Sequence, residues 1–145
     1  MQKSEQKVRI AVSSSPADVW GVIGRVSGVN EWLAPMITAC RVEGSKRYCS
    51  TEGGEFEENI LKVDHENRVF KYNIPEQHML PVSNIVGTMS VFDGEDGGAE
   101  VTWHWTFDVV SDEEAQQARE MLAHAGEMGI NGIDALIKRG AAAEV

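Results

Sequence analysis

The chain predicts an α+β fold in which a curved antiparallel β-sheet wraps around one long C-terminal α-helix, with short helices after the first strand. Three observations carry this expectation. The middle of the chain is a series of β-rich runs separated by short turn signals. Its last part changes to helical spacing, and no other segment is long enough to cover the buried face of such a sheet. At 145 residues, with 42% hydrophobic and 25% charged residues, the chain suits one domain, 1–145, and is too short for two ordinary ones.

The elements follow in order. Val8, Ile10 and Val12 alternate with polar residues, as in a half-buried first strand. Ser15 is placed to N-cap a helix over Ala17 to Val26, with Pro16 in its first turn and Val19, Trp20, Ile23 and Val26 on one apolar face. Gly28 is expected to end it. Trp32 lies on a short turn, and Pro35 leads into a strand from Met36 to Glu43. Turn signals at Gly44-Ser45, Thr51 to Gly54, His65 to Asn67 and Gly94 to Gly98 then divide strands near Lys46 to Ser50, Glu55 to Asp64, Arg68 to Ile74, Val82 to Phe92 and Ala99 to Val110. Ser111 and Glu114 form a capping box for a helix carrying Ala115, Ala118, Leu122, Ala125, Gly129, Ile133 and Leu136, with Lys138, Arg139 and Gly140 at its expected end.

A sheet that grips one helix can leave a cavity between the two. In the last strand Val101, Trp103, Trp105, Phe107 and Val109 share one face, and their apolarity turns it inward, leaving His104 outside. His65 and His124 read as surface residues. His78, in the loop IPEQHMLP, stands where a cavity mouth would be and also suits a plain loop position. Gly126, Gly129 and Gly132 lie three apart in the last helix. Each glycine there costs about 0.5–1 kcal/mol relative to alanine, so side-chain volume is unwelcome, either for close packing on the sheet or for ligand space.

The segment EENILKVDHENRVFKYNIP, with Glu58, Asp64, Arg68 and Tyr72, together with VTWHWTF and the opening VRIAVSSSPADVW, resembles the polyketide cyclase/dehydrase branch of the START and Bet v 1-like (SRPBCC) superfamily. The resemblance spans nearly the whole chain and implies the helix-grip fold. It is more distantly similar to the plant abscisic-acid receptors, whose pocket glutamate and following strand match Glu58, Tyr72 and Ile74. If Asp64 and Arg68 flank a three-residue loop, Glu58 falls opposite Ile74 and Ile60 opposite Tyr72 on one face. Two departures stand out. Leu33, Ala34 and Pro35 occupy the region of the receptors' anion-binding lysine, and the polar run Ser50 to Glu55 replaces their gating loop, so a hormone-receptor role does not carry over.

These readings predict a pocket for a small hydrophobic molecule lined by Trp32, Met36, Arg47, Phe56, Glu58, Tyr72, Ile74, His78, Leu80, Trp103, Trp105, Leu122 and Gly129. With Glu58 acidic and no paired base in view, a neutral or weakly polar ligand suits it better than a carboxylate. The alternative implied by the resemblance is a cyclase or dehydratase in which Glu58 acts as general base while Tyr72, His78 or Arg47 orients a carbonyl. A protein-interaction module with a vestigial pocket is a third class. If Glu58 is an isolated buried carboxylate, replacing it by Gln should leave stability unchanged or higher.

Several classes are disfavoured. The formal charge of −10, from 13 basic and 23 acidic residues, opposes nucleic acid and anionic membranes. No apolar run approaches a signal peptide or a membrane span, so a cytoplasmic protein without membrane insertion is expected. The chain has no G-x-S-x-G, phosphate loop, H-E-x-x-H or metal-ligand histidine spacing, so neither cofactor nor metal is expected. Monomer and dimer both remain open. Finally, a Gly44-Ser45 turn sets Cys40 opposite Cys49, as two thiols that bridge only under oxidation.

Overall fold

The computed structural model describes residues 1–144. Seven strands form one antiparallel sheet in the order β1-β7-β6-β5-β4-β3-β2. They are β1 (Gln2–Val12), β2 (Ala39–Glu43), β3 (Lys46–Thr51), β4 (Gly54–Asp64), β5 (Val69–Ile74), β6 (Ser83–Asp93) and β7 (Ala99–Val109). Helix α1 (Pro16–Ile23) follows β1, and helix α2 (Asp112–Glu144) closes the chain. The α+β helix-grip expectation holds.

Both helix starts behave as read. The Ser15 side chain accepts from the Asp18 amide at 3.2 Å, and Ser111 and Glu114 bond reciprocally at 3.2 Å. The ends differ. Helix α1 stops at Gly24, short of Val26, because Val26 adopts φ +71°, a left-handed backbone that a β-branched residue reaches only under strain. Helix α2 runs past Gly140 through an alanine stretch, alanine being the strongest helix former. Strand β2 begins at Ala39 rather than Met36, since the Ile37 amide turns back to the Leu33 carbonyl at 3.0 Å and holds Pro35 to Ile37 out of the sheet.

The concave face carries the core. Trp103, Trp105, Phe107 and Val109 are buried on β7, while His104 lies on the outer face, where it approaches Glu5. Helix α2 packs over β1 and β7, the sheet's first two strands. The opposite part of the concave face, formed by β3, β4 and β5, is covered by the segment between α1 and β2, which buries Val29, Trp32, Leu33 and Ile37.

The glycine stripe is close packing. A Cβ on Gly126 would come within 2.6 Å of Trp105 and 2.8 Å of Val8, and one on Gly129 within 3.1 Å of Trp103, Leu33 and Trp32. A Cβ on Gly132 would run into the Trp32 backbone carbonyl. As the three-residue spacing drifts around the helix, each glycine meets a different neighbour.

Gly132→Ala should therefore lower the unfolding free energy by roughly 3 kcal/mol, because backbone cannot give way as a side chain can. Gly21→Ala, on the exposed side of α1 with nothing within 4 Å, should raise it by about 0.5–1 kcal/mol. Urea denaturation of the two variants checks both signs.

Candidate ligand-binding site

Glu58 reaches the interior through two offsetting irregularities. The loop after β4 holds four residues, so Asp64 pairs with Val69 and Lys62 with Lys71. That is one residue out of step with the expected loop. A bulge at Leu61 restores the register, and Ile60 pairs with Tyr72 as predicted. The extra residue puts Leu61 outside, 53% exposed, while Phe56 and Glu58 remain buried. Asp64 anchors the loop instead of facing a pocket. Its carboxylate accepts from the amides of Glu66 and Asn67 at 3.1 and 3.0 Å, and the Asn67 bonds hold its carboxyl below the usual range.

On β3, Arg47 lies directly across from Glu58. The two form a buried ion pair between Arg47 Nε and Glu58 Oε1. Arg47 Nη1 donates to the Val26 carbonyl at 2.8 Å, which gives the strained backbone at Val26 a bonding role. The guanidinium also lies 4.9 Å above the Phe70 ring and 5.5 Å above that of Tyr72. Burial works against its charge, and the Glu58 carboxylate more than offsets this, so Arg47 is held above its ordinary range. The expectation of a carboxylate without a paired base is thus corrected. So is the forecast for Glu58→Gln: removing the carboxylate strips a buried guanidinium of its partner.

Tyr72 lies flat across β6, where its ring leaves no room for a Cβ on Gly87, its cross-strand neighbour. Trp103 Nε1 donates to the Tyr72 hydroxyl at 3.1 Å. Burial, and then the charge of Glu58, raise the Tyr72 phenol. Trp103 stacks on Trp105 at 4.9 Å, and Trp32 meets Trp103 edge-on at 6.0 Å.

These side chains surround a cavity of about 90 Å³. Of the residues anticipated from the sequence, Trp32, Met36, Arg47, Phe56, Glu58, Tyr72, Ile74, Leu80, Trp103, Trp105 and Leu122 line it. Gly129 lies beneath Trp103 and Trp32 instead of on the wall. His78 lies outside, in an open pocket of about 460 Å³ with Pro35, Met36 and Met79, and its Nε2 sits 3.0 Å from Thr51 Oγ1. His65 accepts a hydrogen bond from the Trp20 indole at 3.1 Å. An apolar pocket of about 290 Å³ adjoins the cavity and shares Met36, Met79, Leu80, Leu122 and Ala125 with it.

Sequence reasoning missed Ile85 and Met89 on β6, although alternation with the small Gly87 would have found them, and Cys49 on β3. It named Arg47 as one group that could compensate Glu58 without placing the two opposite each other, although a turn closed by Thr51 and Gly54 does so. The thiols sit as expected: Cys40 pairs with Cys49 across the hairpin, and their sulfurs are 3.8 Å apart and unbridged. The Cys49 thiol, donating to the Cys40 sulfur, brings Cys40 down to about 6. That same bond, burial and the Glu58 charge drive Cys49 up. No group of three or more His, Cys, Asp or Glu side chains among the described residues could hold a metal ion.

Residues 1–139 match the family described as polyketide cyclase/dehydrase and lipid transport. The chain belongs to that family. No curated protein matches it. The solved structures it is similar to include an uncharacterized protein from Bacillus thuringiensis, at 24% identity and TM-score 0.80 over 92% of this chain and 98% of that one. The protein XoxI from Bacillus cereus gives the same identity and TM-score over 92% and 95%. A protein from Thermobifida fusca is 22% identical over 93% of both chains, with TM-score 0.78. At these identities the neighbours show the family's fold. No helix among the described residues is long and apolar enough to cross a membrane.

Breaking the ion pair from either side should destabilise the protein. Arg47→Met and Glu58→Leu should each lower the unfolding free energy by about 3–5 kcal/mol, and the two combined should recover most of the loss. Urea denaturation of the three variants measures the coupling, and strict additivity would refute it. For the thiols, iodoacetamide at pH 7 should modify Cys40 alone in the folded protein, with a pH midpoint near 6. Two thiols should react after unfolding. Equal labelling of both cysteines before unfolding, or a midpoint near the ordinary ~8.5, would contradict the shared proton.

Proposed function

We propose that the chain binds a small hydrophobic molecule in the cavity between the sheet and the C-terminal helix. The observation that carries this reading is the composition of the wall: aromatic and aliphatic side chains throughout, with its one pair of full charges, Arg47 and Glu58, neutralising itself. Such a wall suits an apolar, uncharged ligand. The adjoining pocket, with Met36, Met79 and Met121 on its wall, offers a route in, since flexible thioether side chains repack readily around a passing molecule. The family's description includes lipid transport, which supports carriage.

Carriage ranks ahead of catalysis. The carboxylate that a cyclase would use as general base, Glu58, is committed through Oε1 to Arg47. Three of the four tryptophans line the cavity, and Trp20 does not. Titration with two-ring aromatics or medium-chain fatty alcohols should quench or shift the indole emission and raise the melting temperature, as expected for a ligand bound only by the folded state. Ala125→Phe, which projects a ring where cavity and adjoining pocket meet, should weaken binding about tenfold or more. A panel that moves neither emission nor melting temperature would remove the proposal.

A further inference from the structure

The two cysteines join two environments. Cys49 is 1% exposed and lies on the cavity wall, whereas Cys40, directly across from it on the edge strand β2, is half-buried and lies outside that wall. Their sulfurs are in contact at 3.8 Å, with the Cys49 thiol donating to Cys40. Directly opposed strand positions bring Cα atoms to about 4.5–5.5 Å, which falls within the range of about 4.4–6.8 Å that a disulfide spans. A bond between the two sulfurs therefore asks for no rearrangement of the hairpin.

The two sulfurs also differ in chemistry. Cys40 is at the accepting end of the shared proton, and the Val29 amide and the Arg47 charge add to that bond, so its thiolate is well populated at neutral pH. Cys49 keeps its proton, held by the same bond, by burial and by the charge of Glu58. A thiolate within reach of solvent, in contact with a thiol closed off from it, has the geometry of an attacking and a resolving cysteine. Phe56 pairs with Cys49 across β3 and β4 and lines the wall beside it. Drawing the Cys49 sulfur toward β2 therefore takes it away from the cavity and opens room beside Phe56.

We propose that Cys40 and Cys49 form a dithiol–disulfide site, oxidised by a hydroperoxide, whose closure draws back the cavity wall and so controls how tightly a ligand binds. The Cys40 thiolate attacks the terminal oxygen of the peroxide. The O–O bond breaks, Cys40 becomes a sulfenic acid, and the alkoxide leaves as an alcohol after taking a proton from solvent. The Cys49 thiol then attacks the Cys40 sulfur. The S–S bond forms as the S–O bond breaks, and the departing hydroxide takes the Cys49 proton and leaves as water. Two electrons pass from the sulfurs to the peroxide, and a dithiol reductant returns them when it reopens the bridge. The effect on ligands rests on the binding function proposed above; the thiol chemistry does not.

The test treats the reduced, folded protein with hydrogen peroxide. The intact mass should fall by two hydrogens, no thiol should react with iodoacetamide after unfolding, and no covalent dimer should form. In Cys49→Ala, dimedone should trap the sulfenic acid at Cys40; in Cys40→Ala, Cys49 should stay unmodified until the chain is unfolded. 1-Decanol, followed by indole emission, should bind the bridged protein about fivefold tighter than the reduced one. Dithiothreitol, which reopens a disulfide and leaves methionine sulfoxide untouched, should restore the weaker value. Two intact thiols after peroxide, a dimedone adduct on Cys49 in Cys40→Ala, or a disulfide between two copies would overturn the site. Equal affinity in the two states would overturn its control of the cavity while the bridge stands. If 1-decanol binds neither state, the cavity reading fails and its control with it, and the thiol count still decides the bridge. Mass, thiol count and affinities are measured on the unsubstituted protein, so they decide between these outcomes even if a cysteine variant does not fold.

Discussion

The buried pair between Arg47 and Glu58 is the interaction around which the interior is arranged. A guanidinium with side-chain exposure of 7% must have its charge met and its donors used. Glu58 meets the charge, the Val26 carbonyl takes one donor, and the faces of Phe70 and Tyr72 lie against the cation. These contacts come from β4, β5 and the turn after α1, and they meet an arginine carried on β3. The pair thus ties the covering segment to the sheet. The left-handed backbone of Val26, which would be strain without purpose in an ordinary turn, aims the carbonyl that completes the cage.

Much of this architecture can be read from the sequence, because most of it depends on local periodicity. The alternation of VTWHWTF settles which face of β7 is buried, and both helix starts follow from Ser15 and Ser111 with their partners. The inner face of β4 is harder to read, since neither of its faces is cleanly apolar. The reason is now physical: the inward face carries half of an ion pair, and the outward face carries Leu61 on a bulge. Hydrophobic patterning assumes that what is buried is apolar, and it fails where charge is buried in pairs. Positive-φ residues such as Val26 leave no mark in composition either, because the cause is a contact made far along the chain.

The same distinction runs through the glycines of α2. Their spacing marks a surface that rejects side chains, but spacing cannot say whether another atom or a ligand takes up the room. In the structure protein atoms fill it: Trp105 and Val8 at Gly126, Trp103 and Trp32 at Gly129, and the Trp32 backbone at Gly132. The cavity is displaced toward the part of the sheet that α2 does not cover, and the helix contributes to it through Leu122 and Ala125. Close contact on one side of the interior and empty space on the other are two results of one helix lying off-centre.

The bulge at Leu61 bears on how loops in this fold can drift. A one-residue change in loop length between paired strands would turn every side chain beyond it to the opposite face, exchanging wall for solvent. Here the four-residue loop and the bulge cancel, and the pairing of Ile60 with Tyr72 is the one a three-residue loop without a bulge would produce. Relatives that differ by one residue at this hairpin can therefore keep the same cavity wall by gaining or losing the bulge. In a comparison with such a relative, the gap belongs at Leu61 within the strand, because a gap placed in the loop would set Lys62, which faces solvent, against a residue that faces the interior.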